Sequence, residues 1–352
     1  MEEEKPNKIK DFYDKNYKKL LVIPFLLLFL AIIAIGYQYS TTGDFINKDV
    51  SLKGGLTITI PTKAPINLLD IKQKLSTDYP ENDISVRSLT KTGKQVGIII
   101  TSDIDGTKNE EVNSFIDSIE KNLNKELVEG EYSVEFVGSS LGASFFQEAI
   151  KAIYIAFLFM GAVVFLYFGT KMKHKLISLA LAILAAIFIF MVKNPFTDIL
   201  AYIIGILLLI LYVKYSAPSV AVILAAFSDI VVTLAIVNIM GMKISTAGIA
   251  AFLIIIGYSV DTDILLSTRV LKKKEGEVID RIAGAFKTGM MMSLTTIAAV
   301  IVSLIISQSE VIRQIMTILL IGLLVDLINT WIQNAGILKL YLEKKNKPVE
   351  EE

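Results

Sequence analysis

Four aspartates stand inside oily stretches of the sequence, and their positions limit what they can do. Asp261 and Asp263 sit in "GYSVDTDILL" (257–266), Asp229 in "AAFSDIVVTLAI" (225–236) and Asp326 in "GLLVDLINTWIQNAG" (322–336). A charged side chain at the centre of a bilayer costs roughly 2.5–3.5 kcal/mol even on lenient insertion scales. Acids at that depth generally face the interior of a helix bundle and mark ion or proton pathways. The chemistry follows from desolvation, which disfavours the charged form of a carboxyl group and lets a neutral form exchange with it at accessible pH. The competing use is interhelical hydrogen bonding, worth about 0.6 kcal/mol on average.

Spacing narrows the choice. Residues two apart on a helix are rotated by about 200°, so Asp261 and Asp263 cannot share one site. One is expected to face a neighbouring helix while the other reaches towards water. Thr233 lies one turn beyond Asp229 on the same face. Gly322, Asp326, Asn329 and Gln333 follow at intervals of four, three and four, which makes one polar stripe. The run after Thr288 has no acid but carries Ser293, Thr295, Thr296 and Ser303, with Lys287 at its mouth. The candidate proton relay or polar intramembrane site is therefore Asp229, Asp261, Asp263, Asp326, Thr233, Asn329 and Lys287. Lys287 is read first as an interface anchor and second as a relay partner.

Other chemistry is excluded by composition. There is no cysteine and a single histidine, His174, in a basic loop where it is expected to be solvated. No disulfide framework, thiolate metal site or histidine-based zinc or haem site is expected, and no cofactor. A divalent cation at Asp261 and Asp263 would need more oxygen ligands than lie in reach. Met290, Met291 and Met292 are read as packing residues.

The elements that must hold the acids are membrane helices. Hydrophobic residues make up 53% of the 352, and mean hydropathy is +0.58. A spanning helix needs about 20 mostly apolar residues. Such runs are Leu20–Tyr37, Ile150–Phe168, Leu176–Val192, Ile199–Val213, Val220–Met240, Ile244–Leu266, Thr288–Ile306 and Ile315–Leu338. The third and fourth are short and joined by "KNPFTD", so a re-entrant hairpin competes with two full spans. Lysines and arginines concentrate before the first run, in "KMKHK" (171–175), over Arg269–Lys287 and after Leu338. Cytoplasmic loops carry that excess, so both termini are expected in the cytoplasm of a multi-pass cell-membrane protein. The first run is read as a retained signal anchor, because no clear cleavage site follows it.

The division expected is 1–19 as a cytoplasmic segment, 20–38 as the first transmembrane helix and 39–148 as an extracytoplasmic domain. After it come 149–170 as the second helix, 171–214 as a pair of hydrophobic helices, 215–340 as a core bundle of four helices and 341–352 as a charged cytoplasmic tail. In the extracytoplasmic domain "GLTITI" (55–60), "DISVRSL" (83–89), "KQVGIIITS" (94–102) and "YSVEFVG" (132–138) read as strands. Asn67 can cap one helix, and Thr92-Gly93 signals a hairpin. Val112, Phe115, Ile116, Ile119 and Leu123 share one face of a second helix expected over about Asn109–Leu127. The order β-α-β-β-α-β is that of a ferredoxin-like α+β fold. Nothing in it has a nucleophile or phosphate-loop setting, and its mixed charge argues against nucleic acid. The fold class is a polytopic α-helical membrane protein with an external α+β domain.

Several stretches resemble the SecF family, the smaller subunits of the SecD–SecF accessory complex of the protein-export translocase. "FVGSSLG" (136–142) is similar to the family's FVGPSLG-type segment, with Ser139 where proline is usual. "SDIVVTLAI" (228–236) is similar to its HDVIITLGI-type span, and "IGYSVDTDILLSTRV" (256–270) to its IGYS…D…R signature in the archaeal form. "KGG" (53–55) resembles the F-x-GG segment after the first span, without the preceding aspartate. The resemblance implies an RND-superfamily helical bundle and a role in completing protein translocation with the proton motive force. The partners implied are a SecD-like subunit, the protein-conducting channel, the translocating polypeptide and the bilayer, and no enzyme activity is implied. Residues 171–214 are an insertion relative to the usual pattern. Bacterial members carry their important carboxylate where Thr262 stands, flanked here by Asp261 and Asp263, and their basic residue in the next span aligns with Thr288, beside Lys287. A passive scaffold, or an RND-type exporter of lipids or small molecules, is the alternative.

Overall fold

The computed structural model describes residues 8–62, 65–91, 94–128, 130–191, 194–272, 276–307 and 309–346. The chain opens with two nearly continuous helices, α1 (Lys8–Leu20) and α2 (Val22–Thr42). The break between them is at Leu21, because Pro24 has no N–H to bond the Leu20 carbonyl. α2 ends at Gly43, whose φ of 75° turns its N–H back onto the Tyr39 carbonyl.

An α+β domain follows: α3 (Val50–Lys53), β1 (Gly55–Pro61), α4 (Leu68–Asp78), β2 (Ser85–Lys91), β3 (Lys94–Ser102), α5 (Asn109–Leu123) and β4 (Ser133–Val137). The sheet order is β2-β3-β1-β4 with every pair antiparallel, the ferredoxin-like arrangement expected. Alternate residues Leu56, Ile58, Ile60, Ile98 and Ile100 turn one face of the sheet into the core, against Ile71 and Leu75 of α4 and Phe115 and Ile119 of α5. Asn67 caps α4 as expected, its Oδ1 accepting from the Leu69 N–H at 3.1 Å. α5 stops at Leu123 rather than Leu127, because Asn124 adopts a left-handed conformation (φ 49°) that ends the helix. β2 and β3 form the hairpin, and its Thr92-Gly93 turn lies outside the described residues.

Among the described residues, eight helices are long and apolar enough to cross a membrane. After α2 these are α6 (Ser139–Phe168), α7 (Met172–Met191), α8 (Pro195–Tyr215), α9 (Ala217–Ile239), α10 (Thr246–Lys272), α11 (Val278–Ile306) and α12 (Glu310–Ile328). α12 runs through a π turn (Asn329–Asn334) into α13 (Ala335–Asn346). α7 and α8 have 20 and 21 residues, about 30 Å each, and are two full helices rather than a re-entrant hairpin. Small residues let them pack on α6: Ala182, Ala185 and Ala201 are fully buried, and Gly205 faces the Tyr154 ring. The Tyr154 hydroxyl donates to the Ala201 carbonyl at 2.8 Å. His174 is not simply solvated; it is half-buried and stacks on Tyr215 with ring centroids 4.0 Å apart.

The domain is fastened to one end of the bundle. Ile244 exchanges backbone bonds with Asn47 and Asp49, at 2.7 and 3.0 Å. Lys243 pairs with Asp83 at 2.7 Å and Arg87 with Glu310 at 2.7 Å. The motifs "KGG" and "FVGSSLG" meet here. Gly54, at φ 89°, lies against the Ser139 backbone, and Gly142 against the Gly54 nitrogen, so a Cβ at either would clash with main chain.

Candidate functional site

The acids come together between α9, α10, α12 and the π turn. Each helix contributes one, pointing inward because the rest of its buried face is apolar or small: Asp229 among Ala225, Ala226 and Val232, Asp263 near Ile256 and Leu266, Asp326 beside Leu323 and Val325. Asp229 and Asp263 are fully buried and Asp326 is 1% exposed. On the side of the α+β domain, Phe252, Ile255, Ile318, Leu319 and Leu323 form an apolar block.

The three are held by neutral side chains and by one another, Asp326 lying in hydrogen-bond contact with Asp229. Asp229 Oδ2 accepts from Ser259 Oγ at 2.5 Å and its Oδ1 from Asn329 Nδ2 at 2.7 Å. Asp263 Oδ1 accepts from Thr330 Oγ1 at 2.9 Å and from Asn334 Nδ2 at 2.8 Å. Asp326 Oδ1 accepts from Thr330 Oγ1 at 2.9 Å. Thr262 donates to the Ser259 carbonyl at 2.9 Å and has its hydroxyl 3.4 Å from Asp326 Oδ2. Gln333 Nε2 reaches Ser228 Oγ at 3.2 Å. Among the described residues no lysine or arginine forms an ion pair with these carboxylates, and no cluster has the ligands to hold a metal ion. Among the described residues, several buried polar atoms around them have no side-chain or backbone hydrogen-bond partner: Asp263 Oδ2, Thr233 Oγ1, Gln333 Oε1, Asn334 Oδ1 and Ser267 Oγ. Unpaired polar groups in so dry a place are costly, which argues for a role other than stability.

The π turn is what lets so many polar residues face one site. Widening the helix by one residue over Asn329–Asn334 turns Asn329, Thr330, Gln333 and Asn334 inward together, all at most 1% exposed.

Of the seven residues expected at the site, Asp229, Asp263, Asp326 and Asn329 meet directly. Thr233 is buried one turn from Asp229, towards the α+β domain, with its hydroxyl unpaired. Asp261 and Lys287 stand outside the cluster, both side chains exposed, so of the two neighbouring acids it is Asp263 that faces inward. For Asp261 the cause is the rotation that separates it from Asp263; Lys287 lies on the outer face of α11 and, among the described residues, forms no ion pair. Met291 and Met292 are likewise exposed rather than packed, at 65% and 40%. Ser228, Ser259, Thr262, Thr330 and Asn334 are site residues that the sequence reading did not select. All five lie inside the stretches singled out for their acids. Thr330 and Asn334 fall four and eight residues after Asp326, a helical spacing that could have found them.

A second concave feature lies where the domain meets the bundle. This cleft of about 370 Å³ is lined by the edge strand β2, including Arg87 and Leu89, and by Met242, Lys243, Arg313 and Gln314.

Comparison with known proteins agrees with this architecture. The family described as "Protein export membrane protein SecD/SecF, C-terminal" matches residues 117–213 and 191–344. Protein-export membrane protein SecF of Methanocaldococcus jannaschii is 34% identical over 337 residues, covering 93% of this chain and 96% of its own. Its counterpart in Methanolacinia petrolearia is 30% identical over 341 residues, covering 95% and 98%. Among solved structures, SecDF of Thermus thermophilus, a translocon-associated membrane protein, superposes with a TM-score of 0.58 at 18% identity. The match covers 95% of this chain and 38% of that one, and it shows the shared fold. The chain belongs to the SecF family of protein-export membrane proteins.

Proposed function

We infer that this chain acts with a SecD-like subunit to promote protein translocation, and that it draws on the proton motive force through Asp229, Asp263 and Asp326. The observation that carries the reading is three carboxylates, buried together between apolar helices, with no cationic partner among the described residues. A structural ion pair would have a cation; hydrogen-bonding glue would leave fewer groups unpaired. Groups of this kind take up and release protons at little cost in rearrangement. The basic ends of α1, α10 and α13 lie at the end of the bundle away from the α+β domain. This supports a cell-membrane protein with cytoplasmic termini and residues 39–148 outside. The protein-conducting channel and the translocating polypeptide are the further partners in this reading. It assigns no enzyme activity and no cofactor.

A passive scaffold is favoured by what the family resemblance implies, namely Thr262, not an acid, at the position of the bacterial carboxylate. The burial of both Thr262 and Asp263 at the cluster weakens that objection. The test is the export rate of a secreted reporter in cells carrying Asp229→Asn, Asp263→Asn or Asp326→Asn. With the complex intact, each is expected to slow export by about tenfold or more, the scale of losing a proton-transfer group. Normal export in all three would leave the scaffold.

A further inference from the structure

Thr330 makes two contacts that its single hydroxyl hydrogen cannot both satisfy. Its Oγ1 lies 2.9 Å from Asp263 Oδ1 and 2.9 Å from Asp326 Oδ1. A threonine hydroxyl donates one hydrogen and accepts through two lone pairs. With both carboxylates charged, one of these contacts would oppose lone pair to lone pair, at a site no more than 1% exposed. Nearby donors cannot relieve it. Asn329 is committed to Asp229, Ser259 also to Asp229, Asn334 to Asp263, and the Thr262 hydrogen to the Ser259 carbonyl. The charged group that α9 brings near is Asp229, another acid, which itself lies in hydrogen-bond contact with Asp326 and adds no positive charge; among the described residues α11 and α6 bring none. One proton on either Asp263 or Asp326 resolves the conflict. The protonated carboxyl donates to Thr330 Oγ1, and Thr330 donates to the other carboxylate.

We propose that Thr330 is a proton-passing bridge between Asp263 and Asp326, which together hold one proton. This rests on the relay reading above and names the residue that links its two innermost acids. In the transfer, the O–H bond of one carboxyl breaks as its hydrogen joins Thr330 Oγ1. The original Thr330 O–H bond breaks as its hydrogen joins the other carboxylate. The hydroxyl is restored, no electrons are exchanged, and the charge of the trio is unchanged. The π turn is part of the device, because it keeps Thr330 and Asn334 on the acids while Asn329 stays on Asp229.

The test uses the full chain with its partner subunit in liposomes, with two readouts: the infrared C=O stretch of protonated carboxyl groups, and proton uptake driven by an imposed pH gradient. The wild type is expected to show a protonated-carboxyl band at neutral pH that shifts in heavy water. Thr330→Val, which keeps the shape and loses the hydroxyl, is expected to move or abolish that band and to slow proton uptake about tenfold. Thr330→Ser restores the hydroxyl and is expected to keep both. The bridge is overturned if the wild type has no such band, or if Thr330→Val in an intact complex matches wild type in both readouts. Should Thr330→Val fail to assemble, loss of both signals in an assembled Thr330→Ser variant overturns it as well. If Asp263→Asn and Asp326→Asn leave uptake unchanged, the relay reading itself falls; if they abolish it while Thr330→Val does not, only the bridge does.

Discussion

At the scale of single residues, the site is a matter of who donates to whom. Asn329 donates to Asp229 Oδ1 and Ser259 to Oδ2, so removing either leaves half of a buried carboxylate bare. Asn329→Leu keeps the volume and loses the donor. It is expected to cost about 1–3 kcal/mol, the penalty for an unsatisfied buried acceptor, measured by unfolding in detergent. Lys287→Ala, on an exposed residue, is expected to change stability by less than about 0.5 kcal/mol in the same assay. Much of the chemistry was legible at this scale, because the desolvation cost of an aspartate in an apolar run singles it out from its neighbours. Asp229, Asp326 and the pair Asp261 and Asp263 stand out that way, and Asn329 through its helical spacing from Asp326. The hydroxyls and Asn334 were less visible, since Ser, Thr and Asn are tolerated in membrane helices as ordinary interhelical hydrogen-bonding residues.

At the scale of elements, two junctions decide the geometry. One is the close approach of Gly54 to Ser139 and of Gly142 to Gly54, where the domain meets α6. Gly54→Ala adds a methyl against main chain at a φ of 89° and is expected to destabilise the junction by about 1–3 kcal/mol. Its melting temperature should fall, and protease sensitivity near residues 50–55 should rise. The other is the cluster of Lys53, Asp83, Asp103 and Lys243. Partial burial works to raise the pKa values of Asp83 and Asp103, but Lys243 and Lys53 beside Asp83, and Lys53 beside Asp103, hold both below the usual carboxylate range. Undocked, Asp83 loses Lys243 and moves back towards an ordinary value of about 3.9, while Asp103 keeps Lys53 within the domain. The contribution of Asp83 to docking is therefore full above that value and is lost as pH falls below about 4, through its depressed value. Hydrogen exchange at β2 and in the 240–245 loop should rise in that window and not between pH 6 and 8. Asp83→Asn should raise it at neutral pH. The strands and α4 were legible from alternation and the Asn67 cap. The π turn was not, because a single extra residue per turn leaves no mark in a helical polar pattern.

At the scale of the whole molecule, eight apolar helices and one ferredoxin-like domain make a bundle whose polar interior lies in α9 to α12. α7 and α8 pack on α6 through small residues and tyrosines, and α6 in turn packs on α9 and α10 through Met160 and Val164. This packing lets the α7–α8 pair be accommodated without disturbing the site. The number of long apolar helices, the basic asymmetry and the α+β domain were all readable from composition along the chain, since each rests on long runs rather than single positions. Which of two neighbouring acids faces inward was not readable, because it depends on the rotation of α10 against its neighbours. The central claim is that buried carboxylates pass protons. It is tested most directly by proton uptake into liposomes holding the chain with its partner under an imposed membrane potential and pH gradient. Asp326→Asn, Asp263→Asn and Asp261→Asn would be compared at equal incorporation. The account predicts uptake reduced about tenfold or more for the first two and near wild type for exposed Asp261→Asn. Wild-type uptake in both Asp263→Asn and Asp326→Asn would contradict it.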